Sequence, residues 1–449
     1  MDRLRRTRCR PALIACALGL TATLFAAGAM LLPPPDGPAS TREDAAPATT
    51  GRPGDDLAAP GGDRDIQALR ERLRRVPADH TGWAELGVRY VQRAQTSADP
   101  QYYAKAERAL RRSRTLSEEN NHLASMGLGA LAAARHDFTT ALQHAREAVH
   151  ANPHHAPSYG VLSDAYLQLG RYDEAFKATQ RMVDLQPATP SLARASYTWE
   201  LRGETERAEG LMRRALDAAA GPHDIVFARN HLALLALDDG RPRDALVHAE
   251  KGLRSAPHEP ALLAARARAY AALGRTEQAV ADYRSAIARV PQPSTILALA
   301  DLLQSLGRTR EAEEQYELFR TTTRLFRTAG VAPEAEAVLF SADHGDIRQA
   351  LALGRAAATQ RPFVTSLDAY AWALHRAGRS REALRWADRA LALGTRSALF
   401  HYHRGRMHQA LDDTDAARGD LSRALDIDPH FHPLHAPRAR AALDEIGPT

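Results

Sequence analysis

The sequence predicts an all-α solenoid, a stack of about ten helix-turn-helix units, on three observations. An alanine-centred pattern, seen most fully in LQLGRYDEAFKATQRMVDLQP at 167–187, returns along most of the 449 residues. Its alanine recurs as Ala106, Ala141, Ala175, Ala208, Ala245, Ala279, Ala312, Ala350, Ala383 and Ala417, at spacings of 35, 34, 33, 37, 34, 33, 38, 33 and 34 residues. A pattern at fixed spacing is one supersecondary unit stacked on its copies. Five residues before the alanine stands Gly170, Gly203, Gly240, Gly274, Gly307, Gly345 or Gly378, with Asp412 in the last unit. A residue with φ > 0 there ends one helix and lets the next begin. Finally, a mostly small residue lies seven positions after the alanine, and proline often lies twelve after it (Pro153, Pro187, Pro257, Pro291, Pro362, Pro429). Small residues let helices approach closely, and proline stops the second helix. Composition agrees: aromatics make only 6%, and alanine and arginine dominate, which favours closely packed helices over strands.

The chain opens on MDRLRRTRCR and then runs uncharged from Ala12 to Leu32 (ALIACALGLTATLFAAGAMLL). Twenty-one uncharged residues at ~1.5 Å each would cross a bilayer core, with the basic cluster on the cytoplasmic side. Residues 1–32 are therefore expected to be a signal peptide cleaved after Ala29 or an uncleaved signal anchor, the length of the run favouring the anchor. Leu13-Ile14-Ala15-Cys16 looks like a lipobox, but only five residues separate Cys16 from Arg10. Residues 33–64, rich in proline, glycine, alanine and aspartate, lack the apolar surface to fold and read as a disordered tether. The expected location is the cell membrane with an extracytoplasmic repeat domain, or secretion if the segment is removed. Both cysteines, Cys9 and Cys16, precede the tether, so no disulfide, cysteine nucleophile or cysteine-metal site is available beyond residue 16.

Units one to seven with a leading helix are assigned to 65–320, an irregular seam to 321–333 around TTTRLFRTAGVAP, units eight to ten to 334–430, and a cap helix with tail to 431–449. An array must cover its last apolar face, which is the work of the cap. Trp83, Leu86, Gly87 and Tyr90, followed by the recurring alanine and proline, match the W-x2-L-G-x2-Y…A-x3-F…P pattern. Over about residues 80–430 the chain thus resembles the tetratricopeptide repeat family. The resemblance implies a right-handed solenoid whose first helices line a concave face that holds a protein or peptide. The opening IQALRERLRRVPADHTGWAELGVRY is, in addition, similar to repeat proteins of bacterial cytochrome c assembly.

Carried onto this chain, exposed concave positions include Met126, Asp164, Tyr197, Phe227, Asn230, Arg268, Asp301, Trp372, His375, Tyr402 and Arg406. Asn230, Arg268, Asp301, Trp372, His375, Tyr402 and Arg406 are the candidate partner-binding residues. Trp372 with His375, and Tyr402 with Arg406, sit three or four residues apart on one helix face and combine types enriched in binding hot spots. Both aromatics could instead pack between helices as core. All three lysines (Lys105, Lys177, Lys251) fall on second helices, against a chaperone-type carboxylate clamp.

Six histidines lie between His401 and His435, and His430, His432 and His435 in PHFHPLHAP are candidate Zn or Ni ligands for an alternative envelope metal-handling role. Gly127-Leu128-Gly129 follows no strand and sits within a first helix, so it reads as packing. There is no G-x-S-x-G, P-loop or H-E-x-x-H. Of the net charge of +5, the first ten residues supply +4, so the rest lacks the basic stripe of a nucleic-acid binder. The function expected is a non-catalytic interaction scaffold, without cofactor, exported or held at the membrane by residues 12–32.

Overall fold

A computed structural model of the chain describes residues 61–447 apart from 98, 329, 333 and 334. Residues 1–60 lie outside these, as do the expectations placed on them; the last four residues assigned to the tether, 61–64, are instead the first turn of α1. Among the described residues there are 22 helices and no strand, and none of the helices is long and apolar enough to cross a membrane. Helix α1 (Gly61–Arg75) leads into pairs α2 (His80–Ser97) and α3 (Gln101–Leu116), α4 (His122–Ala134) and α5 (Phe138–Ala151), α6 (Ala156–Gln168) and α7 (Tyr172–Leu185), α8 (Thr189–Glu200) and α9 (Thr205–Asp217), α10 (Pro222–Asp238) and α11 (Pro242–Ser255). Pairs α12 (Pro260–Ala272) and α13 (Thr276–Arg289), α14 (Pro293–Ser305) and α15 (Thr309–Thr328), α16 (Ala335–His344) and α17 (Ile347–Gln360), α18 (Val364–Arg376) and α19 (Ser380–Leu391), α20 (Ala398–Gln409) and α21 (Thr414–Ile427) follow, and α22 (His435–Ile446) covers the end. The fold is an all-α solenoid of helix-turn-helix units.

All ten recurring alanines are 0% exposed, so each marks a place where second helix meets first helix too closely for a larger side chain. The recurring prolines stand two residues beyond the ends of α5, α7, α11, α13, α17 and α21, where φ is fixed and no helical hydrogen bond is lost. At the turn, Gly170, Gly203, Gly240, Gly274, Gly307 and Gly378 have φ between 67° and 78°, and Asp412 has 60°. In the second unit His136 takes the same place at φ 62°. Gly345 departs from the expectation, since it is not among the residues with positive φ. It is needed for closeness instead, because a Cβ there would lie 3.1 Å from Ser341 Cα. The stretch read as irregular at 321–333 is helical through Thr328, where α15 overruns the usual length.

The solenoid winds back onto itself. Turns between first and second helices in units two to five meet the loops that follow units seven to ten. His136 approaches Ala332, Gly170 approaches Pro362, Gly203 approaches Gly394, and Gly240 approaches Ile427 and Asp428. Thr395 Oγ1 donates to Leu201 O at 2.6 Å, and Arg396 pairs with Asp239 at 3.1 Å. The apolar core follows this path: one cluster contains Val88, Val161 and Leu201 together with Phe326, Phe363, Trp372 and Leu421. Units in the middle, around Ile296 and around Leu232, keep clusters of their own.

Candidate functional site

First helices carry the candidate residues, and tight winding turns them inward against one another. Trp372 on α18 and Tyr402 on α20 are each only 2% exposed, so the exposure expected of them does not hold. The indole Nε1–H of Trp372 donates to Asp343 at 3.0 Å, and its ring stacks on His403 with centroids 4.2 Å apart. His403 is itself held by Asp368 at 2.9 Å. The Tyr402 ring stacks on His435 at 4.9 Å and lies 5.8 Å from Trp372. His375 lies 5.1 Å from Trp372, with Nδ1 3.0 Å from Ser380 Oγ, and burial pushes its pKa down to about 4, helped by His403, Arg406 and Arg376.

Met126 and Tyr197 are buried as well, at 0% and 5%, while Asp164 is held by the buried Arg194 at 2.9 Å. Phe227 is half-buried against His231, with ring centroids at 4.0 Å. Asp301 is 6% exposed and accepts the Tyr316 hydroxyl at 2.8 Å. Its two oxygens face His432 Nε2 at 3.3 Å and His344 Nε2 at 3.7 Å. Arg268 pairs with Asp238 at 2.7 Å and reaches Asp428 at 3.9 Å. Asn230 is half-buried, its Oδ1 shielded from solvent and accepting no hydrogen bond. Two of these contacts, Asp301 with His432 and Arg268 with Asp428, join units that are not neighbours, which first-helix register alone cannot specify.

The histidine cluster keeps two of its three members together. His430 is exposed, whereas His432 turns to Asp301 and His435 lies 3.7 Å from Asp343, buried and shifted strongly toward its neutral form. Among the described residues no group of three or more His, Cys, Asp or Glu is arranged to hold a metal ion. The metal-handling alternative draws no support from this arrangement: His432 and His435 lie ring against ring with centroids 4.3 Å apart, each beside its own carboxylate, and His430 stands apart from them, exposed.

Arginines absent from the initial candidates complete the picture. Arg376 at the end of α18 lies 3.6 Å from Asp343 and over the Trp372 ring at 6.0 Å. Arg438 on α22 reaches His435 Nδ1 at 3.5 Å. Half-buried Arg406 lies one helical turn from Tyr402, and together Arg406, Arg438 and Arg376 offset part of the rise that burial imposes on the Tyr402 hydroxyl. Among the described residues neither Arg406 nor Arg438 has a carboxylate partner. Glu200 is the other unforeseen group: burial pushes its pKa up to about 8, and Asp238 adds to the shift. No sequence signal marks it, because the neighbouring carboxylate belongs to the next unit.

Residues 132–196 and 236–294 match the tetratricopeptide repeat family. No curated protein matches the chain. Among solved structures, a thermophilic repeat protein from Thermus thermophilus is 24% identical over 43% of this chain and 98% of its own, with a TM-score of 0.37. The type IV pilus biogenesis factor PilW is 16% identical over 44% of this chain and 92% of its own (TM-score 0.39). A repeat protein of Parabacteroides merdae is 17% identical over 57% and 98% (TM-score 0.33).

Proposed function

Because residues 132–196 and 236–294 match the tetratricopeptide repeat family, we propose that the chain is a non-catalytic scaffold that engages a protein or peptide partner, held at the membrane or exported by residues 12–32. One observation carries the choice of surface. Arg406 stands half-buried beside Tyr402 with no carboxylate partner among the described residues, and Arg376 and Arg438 flank the same ring. A half-buried guanidinium without a counter-ion gives up hydration and gains an ion pair only when an anionic group arrives. The partner is therefore a protein segment bearing carboxylates, met at the mouth formed by α18, α20 and α22. Trp372 and Tyr402 serve as the floor of that mouth and are not its contact surface. The assembly-factor version draws on the opening stretch alone. Ile66, Leu73 and Leu86 from that stretch pack together with Ala109, an arrangement that suits an end cap.

The test is photocrosslinking in intact cells with the full-length protein and Arg406 kept, the crosslinking residue replacing Ala410, exposed one turn beyond Arg406, or, as control, the outer-face Val247, which is 47% exposed. One species captured at 410 and not at 247, and lost with Arg406→Glu, supports the reading. Equal capture at both, none at 410, or capture indifferent to Arg406→Glu sinks it.

A further inference from the structure

On the outer face of units eight and nine, α17 and α19 leave between them a cleft of about 470 Å³, whose lining includes Leu351, Arg355, Tyr370, Trp386 and the ion pair of Arg379 with Glu382. Its floor follows from small residues. A Cβ at Gly354 would lie 2.9 Å from Tyr370 Cδ2, so glycine there lets α17 settle onto the Tyr370 ring. Trp386 meets that ring edge-on at 5.1 Å and remains half-buried, one side facing the cleft. The repeat does not require an aromatic residue at this place. Three residues after the recurring alanine, the other nine units carry Ala109, His144, Ala178, Leu211, His248, Asp282, Gln315, Leu353 and Asp420.

The surroundings are strongly basic. Arg381, Arg385 and Arg389 are exposed at four-residue intervals along α19, Arg355 faces them from α17, and the Arg389 guanidinium lies over the Trp386 ring at 4.6 Å. Nearby carboxylates are already engaged, Glu382 by Arg379 at 2.5 Å and Asp388 by Arg404 at 3.1 Å. Among the described residues Arg355, Arg381, Arg385 and Arg389 have no carboxylate partner.

We propose that this cleft is a second docking site, separate from the mouth at Arg406, for an acidic peptide segment. One of the segment's apolar side chains enters between Tyr370 and Trp386, and its carboxylates pair with Arg355, Arg385 and Arg389. A half-buried tryptophan ringed by unpaired arginines has the make-up of a binding hot spot. Charge selects an acidic partner, and the cleft selects a side chain. A polyanion such as duplex DNA or an anionic bilayer would use the arginines and leave the cleft unfilled. The cations of α19 extend over only nine residues, about 12 Å, which is short for tracking a phosphate backbone.

Fluorescence anisotropy with the full chain tests this. The probe is a fluorescein-labelled ten-residue peptide of glutamates and aspartates around one central phenylalanine. Binding is expected, with affinity falling at least tenfold when the phenylalanine is replaced by alanine, when the acids are replaced by their amides, or in an Arg385→Glu, Arg389→Glu protein, whose changed positions are exposed and leave the core alone. Arg310→Ala, at an exposed arginine of α15 that belongs to neither site, should leave it unchanged, which separates this site from exposed arginines in general. Absence of binding, equal binding of the amide peptide, or indifference to the phenylalanine together with full competition by duplex DNA or phosphatidylglycerol vesicles would overturn the proposal.

Discussion

His136 Nδ1 lies 2.9 Å from the carbonyl oxygen of Ala332, 196 residues further along the chain. The next such link, Thr395 to Leu201, spans 194 residues, so one turn of the superhelix sits in register on the turn before it. Burial pushes the His136 pKa down to about 3, with Arg361 contributing, and the ring is therefore neutral with Nδ1–H as the donor. The inner faces of first helices are met by the carboxy-terminal loop and cap, as Asp301 is by His432, Arg268 by Asp428 and Asp343 by His435.

Turn glycines separate local from long-range need. Gly203 and Gly274 share φ 73°, but a Cβ on Gly203 would run into the Gly394 carbonyl oxygen, whereas nothing lies within 4 Å of one on Gly274. Gly274→Ala should cost about 1 kcal/mol, the price of a left-handed alanine. Gly203→Ala should cost about 1–3 kcal/mol more and increase the radius of gyration, because the seam must part. Urea unfolding and small-angle scattering on both variants check this. Equal costs with unchanged dimensions would mean that the seam contributes nothing.

What was legible in the sequence is whatever repeats within one unit. The ten alanines, the turn residues and the prolines each answer to contacts between a helix and its immediate neighbour, and such contacts recur with the period. Curvature does not recur in any single position. It is the sum of small rotations between units, and only that sum brings His432 to Asp301 or Asp428 to Arg268. Trp372 lies on a first helix, α18, but whether such a helix leaves a face open depends on how far the array has turned, and Trp372 is buried. Gly345 shows the converse, a residue that fits the pattern yet serves close packing against Ser341.

Stability should fall steeply on mild acidification. His136 titrates at about 3, and His155, His231 and His375 at about 4, in every case chiefly because burial disfavours the cation. The unfolded chain takes up these protons near pH 6.5, whereas the folded chain does not until about 3–4. The stabilisation is thus complete above 6.5 and lost as pH falls through that window, by up to about 1.4 kcal/mol per pH unit for each imidazole. Urea midpoints at pH 7.5, 6 and 5 measure it, and His136→Gln should remove one proton's share of the slope. Identical midpoints at 7.5 and 5 would contradict the burial of these rings.

Four tryptophans allow the closed interior to be read optically. Trp372 is 2% exposed and bonded to Asp343, while Trp386 lines the outer cleft. Acrylamide should quench Trp386 readily and Trp372 hardly at all, measured as the difference spectra of Trp386→Phe and Trp372→Phe proteins. Trp372→Phe should also cost about 2–3 kcal/mol, since Asp343 loses a buried donor and the ring loses area. Strong quenching of the Trp372 component would show that the mouth opens to its floor in solution.

Glu200 makes the opposite prediction from the histidines. Its carboxyl is raised from the ordinary 4.5 to about 8 by burial, with Asp238 adding repulsion. Between those values the folded chain keeps a proton that the unfolded chain has released, so this group's contribution to stability falls as pH rises from 4.5 to 8. Glu200→Gln keeps the shape and removes the titration. It should therefore stabilise the protein by about 1–2 kcal/mol at pH 8 and change little at pH 4.5, where both side chains are neutral in the fold. The pH 8 gain should shrink in an Asp238→Asn background, because the repulsion it relieves is then already gone. A gain of the same size at both pH values would assign the effect to packing and leave Glu200 an ordinary solvated acid.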